Sequence, residues 1–221
     1  MKAFQEDWEK IHRESDWGRY PSEAVIRFVA RNYYKMSCRS TIKILDFGCG
    51  AGANTWYLAR EGFDVWAFDG SRSAVRKAKE YLVTEGYKNV HFDVMDGSSL
   101  VYEGNYFNCV IDNVCVYANT KECIVQMYRE IYRVLKEGGL LFTSVFGTGT
   151  DGYGNGEHIE ERTYREIRIG VLQGRAIAHF FTKEELKNTL YMTGFKKISI
   201  DEMYYTDNGI KVEMLIARAE K

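Results

Sequence analysis

Hydrophobic and polar positions along the middle of the chain follow two alternating periods, which predicts strands that alternate with helices. Short runs rich in β-branched and aromatic residues predict five strands: residues 42–47, 64–69, 89–95, 106–113 and 140–146. Between them, apolar residues recur every three or four positions, which predicts helices over residues 54–61, 71–86 and 121–139, the second with Ser71 as its N-cap. Strands and helices in alternation form a mainly parallel sheet with right-handed crossovers.

The last forty residues break this alternation. A helix is predicted over residues 182–194, followed by strands over 195–205 and 211–219. The short turn TDNG between these two strands can join only antiparallel neighbours. We therefore expect an α/β fold with a doubly wound, mostly parallel seven-stranded sheet, an antiparallel last strand and helices on both faces.

Two segments lie outside the alternating pattern. Residues 22–36 have helical spacing with Ser22 as the N-cap, and polar residues with scattered aromatics precede them. Residues 1–40 are therefore predicted to form a helical N-terminal cap on a domain of residues 41–221. Residues 147–181 are predicted to be an insertion that acts as a substrate lid, with a mobile glycine-rich loop at its start.

Composition narrows the functional classes. The chain has 221 residues, 45% of them hydrophobic, which suits one domain with additions. A net charge of -1 argues against a nucleic-acid partner. No signal peptide and no membrane-spanning apolar run are visible, so a soluble cytoplasmic protein is expected. Five cysteines without CxxC spacing indicate free thiols and no metal site.

The sequence ILDFGCGAG joins the first predicted strand to the next helix through a glycine loop. Gly48, Gly50 and Ala53 satisfy the dinucleotide-binding pattern G-x-G-x-x-G/A. Asp69 lies near the position, about 20 residues further on, where that pattern has an acidic residue. Asp46, however, precedes the glycines and would suit a cationic ligand group while repelling a pyrophosphate. Asp96 ends the third strand, where a carboxylate can accept a hydrogen bond from an exocyclic amine.

Five motifs in order resemble those of the class I S-adenosylmethionine-dependent methyltransferases of the small-molecule type: ILDFGCGAG, VWAFDGS, FDVMDGSSL, YFNCVIDN and LKEGGLLF. The resemblance covers roughly residues 40–146 and 182–220. It implies a Rossmann-like fold, S-adenosyl-L-methionine as the cofactor and methyl transfer to oxygen or nitrogen of a small-molecule acceptor. The alternatives are an NAD(P)-dependent oxidoreductase and a cofactor-binding module without catalysis.

The resemblance assigns one group of residues to the methionine part of the cofactor. Asp46 would orient its amino group, and Asn113 would offer its backbone carbonyl to the same group. Tyr20 or Arg19 would reach the methionine carboxylate. The backbone of three loop residues would approach the cofactor closely: Gly48, Cys49 and Gly50. Cys49 is interpreted as a small side chain that fits a tight turn and not as a nucleophile.

A second group is assigned to the nucleoside part. By resemblance, Asp69 accepts both ribose hydroxyls and Gly70 lies against the adenine. Asp96 accepts a hydrogen bond from the adenine amine, and Met95 or Gly97 lies beside the ring.

The acceptor side is less well defined. His158 and His179 lie in or beside the insertion and are candidate bases, as is His12 in the N-terminal segment. Tyr117 follows the fourth strand, where similar enzymes often place residues near the transferred methyl. Pro21 is the only proline, so the proline-containing motifs of nucleic-acid base methyltransferases are missing, and a small molecule is the expected acceptor. A homodimer is left open.

Overall fold

The computed structural model describes residues 2–221; Met1, the first residue of the predicted cap, lies outside the described residues. The helices are α1 (Glu6–Glu14), α2 (Glu23–Tyr33), α3 (Ala53–Arg60), α4 (Arg72–Thr84), α5 (Lys121–Val134) and α6 (Lys183–Met192). The strands are β1 (Lys43–Phe47), β2 (Asp64–Asp69), β3 (His91–Val94), β4 (Phe107–Asn113), β5 (Leu135–Phe146), β6 (Glu157–Glu160), β7 (Thr163–Arg165), β8 (Ala178–His179), β9 (Lys196–Asp207) and β10 (Ile210–Glu220).

Seven strands form the main sheet in the order β3-β2-β1-β4-β5-β10-β9. Strands β1 to β5 pair in parallel, whereas β10 lies antiparallel to both β5 and β9. The predicted fold, with its antiparallel last strand and terminal hairpin, is confirmed. Central strands are apolar because both faces are covered; Ile44 and Leu45 of β1, for example, are fully buried.

The predicted serine caps begin α2 and α4. Ser22 Oγ accepts a hydrogen bond from the Val25 backbone N–H at 3.5 Å, and Ser71 Oγ accepts one from the Ala74 N–H at 3.0 Å. No helix in residues 2–221 is long and apolar enough to cross a membrane.

One predicted boundary is wrong. The helix expected over residues 121–139 ends at Val134, and Leu135 turns into extended backbone as the first residue of β5. The double glycine lies within the strand, beside a register shift in its pairing with β4. Leu135 continues the apolar face of the helix in the sequence, but in the structure it pairs with Phe107 of β4 and is fully buried. An apolar residue fits either element, so the helical spacing alone did not locate the end of the helix.

The glycine-rich start of the insertion, residues 147–156, is hydrogen-bonded to the main sheet, and its mobility stays a prediction. Glu213 of β10 holds this segment, because its carbonyl accepts from Gly147 N–H at 2.9 Å and its Oε2 accepts from Gly149 N–H. Beyond it, β6, β7 and β8 form a small antiparallel sheet. The insertion also contributes Leu172 and Phe180 to the main hydrophobic core. It is therefore an integral, packed part of the domain.

Candidate active site

A cavity of about 420 Å³ opens at the carboxyl ends of the central strands, where ligands of open α/β sheets bind. Most of the predicted site residues border it: Tyr20, Gly48, Cys49, Gly50, Asp69, Gly70, Met95, Gly97, Asn113 and Tyr117. Five do not, namely Arg19, Asp46, Asp96, His158 and His179. The sequence therefore located the cavity, and the structure changes the roles open to these five residues.

The glycine loop forms a tight turn that only glycine accommodates. Gly48 has a φ of +71°, in the left-handed region, and a Cβ added there would lie 2.1 Å from Cys115 Sγ. The neighbouring Cys49 N–H donates to the Phe68 carbonyl at 2.8 Å, which ties the loop to β2. Burial raises the pKa of the Cys49 thiol, so it stays neutral and is a poor nucleophile, in keeping with the small-side-chain interpretation.

Asp69 connects the two loops that flank the cavity. Its Oδ2 accepts from the Gly50 N–H at 3.0 Å and its Oδ1 from the Ser71 N–H at 2.8 Å. Burial raises the pKa of this carboxyl, opposed by the charge of nearby His12 and by the two backbone donors. A carboxylate oxygen has more than one lone pair, so Asp69 can still accept hydrogen bonds from a ligand.

Asp46 does not point into the cavity, contrary to the prediction. It is fully buried beneath the loop, where it accepts hydrogen bonds from Thr55 Oγ1 at 2.5 Å and Asn54 Nδ2 at 3.5 Å. Burial raises the pKa of Asp46 to about 6, although the two donors oppose the shift. Asn54 itself borders the cavity, and its buried Oδ1 has no hydrogen-bond partner among the described residues. Asp46 therefore orients Asn54 and Thr55 and does not itself face the cavity.

Asp112, on the neighbouring strand β4, is a second buried carboxyl beneath the cavity that the sequence interpretation missed. Its Oδ1 accepts from the Cys115 N–H at 3.0 Å and the Val116 N–H at 3.2 Å, and its Oδ2 accepts from Thr143 Oγ1 at 2.5 Å. It thereby fixes the turn after β4 that carries Cys115 and Tyr117. Burial raises the pKa of Asp112 to about 7 despite these donors.

The raised pKa of Asp112 predicts a pH-dependent stability. An aspartate in an unfolded chain has a pKa of about 4, so the folded protein retains a proton that the unfolded chain releases between about pH 4 and pH 7. The stabilising contribution is fully present below this window and is lost as the pH rises through it. Asp112→Asn removes the titration, so its stability relative to the wild type should rise by a few kcal/mol from pH 5 to pH 8.

Urea unfolding of both proteins at the two pH values measures this difference. Asp16→Asn serves as a control because the Asp16 side chain is fully exposed. An equal stability difference between Asp112→Asn and wild type at pH 5 and pH 8 would contradict the titration.

The carboxylate of Asp96, which was predicted to contact an adenine amine, already accepts hydrogen bonds from within the chain. Asp96 Oδ2 accepts from the Phe4 backbone N–H at 2.8 Å, and its Oδ1 accepts from the Ser98 N–H at 2.8 Å. Burial opposes ionisation, but these donors outweigh it and lower the pKa of the carboxyl. The Phe4 ring packs against Gly70, where an added Cβ would lie 2.1 Å from Phe4 Cδ2. The N-terminal segment thus contacts both the carboxylate and the glycine that were assigned to adenine.

Two of the three histidines predicted as bases, His158 and His179, lie away from the cavity. His158 is exposed on β6, with its ring against Tyr164 at a centroid distance of 5.5 Å. His179 is buried on β8, where Nδ1 lies 2.7 Å from Thr163 Oγ1 and Nε2 lies 3.2 Å from Glu185 Oε1. The small sheet directs both rings outward or into packing, so neither reaches a ligand in the cavity.

The N-terminal segment supplies a histidine that does border the cavity. His12 of α1 is buried near Gly50, and its Nδ1 has no hydrogen-bond partner among the described residues. Burial lowers the pKa of His12, opposed by Asp69 and Glu9. Trp8 and Trp17 flank its ring at centroid distances of 5.9 and 5.2 Å. The spacing of Trp8 and His12, one helical turn apart, is the sequence signal for this shared face.

The helix that carries His12 is fastened to the glycine-loop side of the sheet. Glu9 accepts from Ser71 Oγ and Ser73 Oγ, each at 2.6 Å, at the N-terminus of α4. These hydrogen bonds lower the pKa of Glu9 to about 2. A carboxylate at a helix N-terminus is also favoured by the helix dipole. The N-terminal segment is therefore anchored as a roof over the cavity.

Of the remaining residues predicted for the methionine part of the cofactor, Tyr20 and Asn113 border the cavity and Arg19 does not. Tyr20 borders the cavity but is 76% exposed, with its ring edge-on to Trp56. Arg19, the alternative to Tyr20, does not border the cavity, and its guanidinium lies over the Tyr81 ring. Asn113 borders the cavity while its Oδ1 accepts from Ser144 Oγ at 2.8 Å.

Comparison with known proteins shows which family the chain resembles. A family model described as "Methyltransferase domain" matches residues 44–139. Among solved structures, a SAM-dependent methyltransferase from Methanosarcina mazei superimposes with a TM-score of 0.68 at 26% identity, covering 81% of this chain and 92% of that one. Together with the motifs and the strand order, these matches support a class I S-adenosylmethionine-dependent methyltransferase.

Curated relatives show how far the similarity extends. A sterol 24-C-methyltransferase from Gibberella zeae is 28% identical over 188 residues, or 82% of this chain and 46% of the relative. A 2-heptyl-1-hydroxyquinolin-4(1H)-one methyltransferase from Mycobacteroides abscessus is 31% identical over 103 residues, or 47% of this chain and 45% of the relative. The chain spans about half the length of the curated relatives it matches.

Proposed function

We propose that this protein transfers a methyl group from S-adenosyl-L-methionine to oxygen or nitrogen of a small-molecule acceptor. The observation that carries the proposal is one cavity that combines the glycine loop with Asp69 at the end of β2. A dinucleotide site fits less well, because the sheet ends in an antiparallel hairpin where the dinucleotide-binding fold continues with a parallel strand.

The residues of the cavity fit this cofactor. Asp69 offers a carboxylate to the ribose hydroxyls, and the unpartnered Oδ1 of Asn54 suits a cationic amino group. The loop glycines leave only backbone at the closest approach. When bound, S-adenosylmethionine supplies an activated methyl group on a sulfonium, so the chain's own task is alignment and exclusion of water.

The acceptor would lie beside the turn after β4. Tyr117 borders the cavity and packs edge-on against Phe146, with a centroid distance of 4.9 Å. Burial raises the pKa of Tyr117 above its usual value, so its hydroxyl is a donor and not a base. His12, with an unpartnered Nδ1 and a lowered pKa, is the histidine placed to accept a proton from the acceptor.

Charge and cysteine usage support two further parts of the proposal. A net charge of -1 suits a small acceptor and not a nucleic acid. The five cysteines are free thiols, which suits a reducing, cytoplasmic compartment.

Isothermal titration calorimetry tests the proposed cofactor. S-adenosylhomocysteine should bind one site per chain in the micromolar range or tighter, and NAD should give no measurable heat under the same conditions. The outcome that contradicts the proposal is binding of NAD without binding of S-adenosylhomocysteine. Turnover of a labelled methyl group across a panel of hydroxyl and amine acceptors would then distinguish an enzyme from a binding module.

A further inference from the structure

One cationic side chain borders the cavity without an anionic partner. Arg175 is the only lysine or arginine among the described residues that line it. No carboxylate of residues 2–221 lies within ion-pair distance of its guanidinium. The group lies over the Trp17 ring, with Cζ 4.5 Å from the centroid, and is partly buried.

The other arginines of the insertion provide a contrast. Arg162 lies 2.9 Å from Glu185 Oε2 and also pairs with Glu161. Arg165 and Arg168 are exposed and lie outside the cavity lining. The Arg175 guanidinium thus contacts the Trp17 ring as a cation–π pair and makes no side-chain hydrogen bond or ion pair with the described residues, so its donors are available to a ligand.

Several residues that line the cavity with Arg175 are apolar, and His12 is near enough for the charge of Arg175 to lower its pKa. Val171 and Leu172 precede Arg175 on the same segment and border the cavity, and Phe146 at the end of β5 borders it as well. Tyr117 is close enough for the charge of Arg175 to oppose the rise of its pKa. Tyr117 follows β4, Phe146 ends β5, and Val171 and Leu172 belong to the insertion, whereas the residues that the resemblance assigns to the ribose and the adenine follow β2 and β3.

We infer that the acceptor is an apolar molecule that carries a carboxylate, and that Arg175 binds this carboxylate as a fork of two parallel hydrogen bonds. The inference rests on the proposed function and names the substrate class for the same site. A single guanidinium matches a carboxylate in charge and geometry, and no second lysine or arginine of the described lining is available for a dianion. The apolar wall contributes affinity for the rest of the molecule.

Calorimetry on the full chain saturated with S-adenosylhomocysteine tests the inference with two matched pairs of probes. The pairs are octanoate with octanamide and 1-naphthoate with 1-naphthamide, each of which keeps the apolar body and changes the charge. The wild type should bind each carboxylate about tenfold or more tightly than its amide, as expected for one charge-assisted pair. Arg175→Gln should reduce this preference to less than about threefold, and the exposed control Arg168→Gln should retain it.

Each other result overturns the inference in a recognisable way. Equal affinities of carboxylate and amide for the wild type would show that the acceptor site has no anion receptor. If Arg175→Gln weakens S-adenosylhomocysteine about tenfold but leaves 5′-methylthioadenosine unchanged, the guanidinium binds the methionine carboxylate of the cofactor instead. If the wild type binds no S-adenosylhomocysteine, it is the proposed function that fails, before any probe is added.

Discussion

Asp69→Ala should weaken the binding of S-adenosylhomocysteine by roughly 10- to 150-fold, which corresponds to about 1.5–3 kcal/mol for lost hydrogen bonds to a charged group. Two effects act together. The ribose loses its proposed acceptor, and the Gly50 and Ser71 N–H groups lose the carboxylate that connects the two loops. Isothermal titration calorimetry measures the change, with circular dichroism to verify that the sheet is intact.

Asp64→Ala is the matched control, because Asp64 begins the same strand at the edge opposite the cavity. The affinity of the Asp64→Ala variant for S-adenosylhomocysteine should equal that of the wild type. A dissociation constant of Asp69→Ala within about twofold of the wild type would remove Asp69 from the cofactor site.

The sequence predicted the parts of the site that depend on local pattern. The glycine loop and Asp69 lie where strands end, and parallel strands bring their carboxyl ends to one edge whatever else the chain does. The serine caps depend on a few adjacent residues, and they too were correct. Periodicity and turn chemistry are enough for such features.

The orientation of the Asp46 and Asp96 side chains depends on packing, which a local sequence pattern does not reveal. Asp46 precedes the glycines as the motif requires, yet its carboxyl lies under the loop because Thr55 and Asn54 of α3 donate to it. Asp96 contacts Phe4, a residue more than ninety positions away in the sequence. Pairs separated so far along the chain meet only through the fold, so one sequence alone does not predict them.

The same limit explains why, of the three candidate histidines, the structure places His12 at the cavity and not His158 or His179. His158 and His179 were favoured because the insertion was expected to reach over the cavity as a lid. The part of the insertion that borders the cavity carries Val171, Leu172 and Arg175, whereas β6, β7 and β8 pair with one another and keep both histidines away from it. The roof over the glycine loop comes from α1 with His12. The helical spacing of Trp8 and His12 was visible in the sequence, but the contact of that face with Gly50 was not.

Gly48→Ala should destabilise the folded protein by about 2–5 kcal/mol, since two costs combine. A residue with a Cβ at a φ of +71° pays about 1–2 kcal/mol for the left-handed backbone. The new methyl would also lie 2.1 Å from Cys115 Sγ and 2.7 Å from its Cβ, and overpacking of this kind costs about 1–3 kcal/mol. Binding of S-adenosylhomocysteine should fall with it, because relief of the overlap moves the loop or the turn after β4.

Gly62→Ala separates the two costs. Gly62 has a similar φ of +85°, but nothing lies within 4 Å of the position of an added Cβ. This variant should lose only the backbone contribution, and the double variant Gly48→Ala with Cys115→Gly should recover most of the difference between the two single variants. Urea unfolding at one pH measures all of them. If Gly48→Ala and Gly62→Ala cost the same, the close contact between the loop and Cys115 does not shape the site, and the left-handed turn alone explains why glycine is needed there.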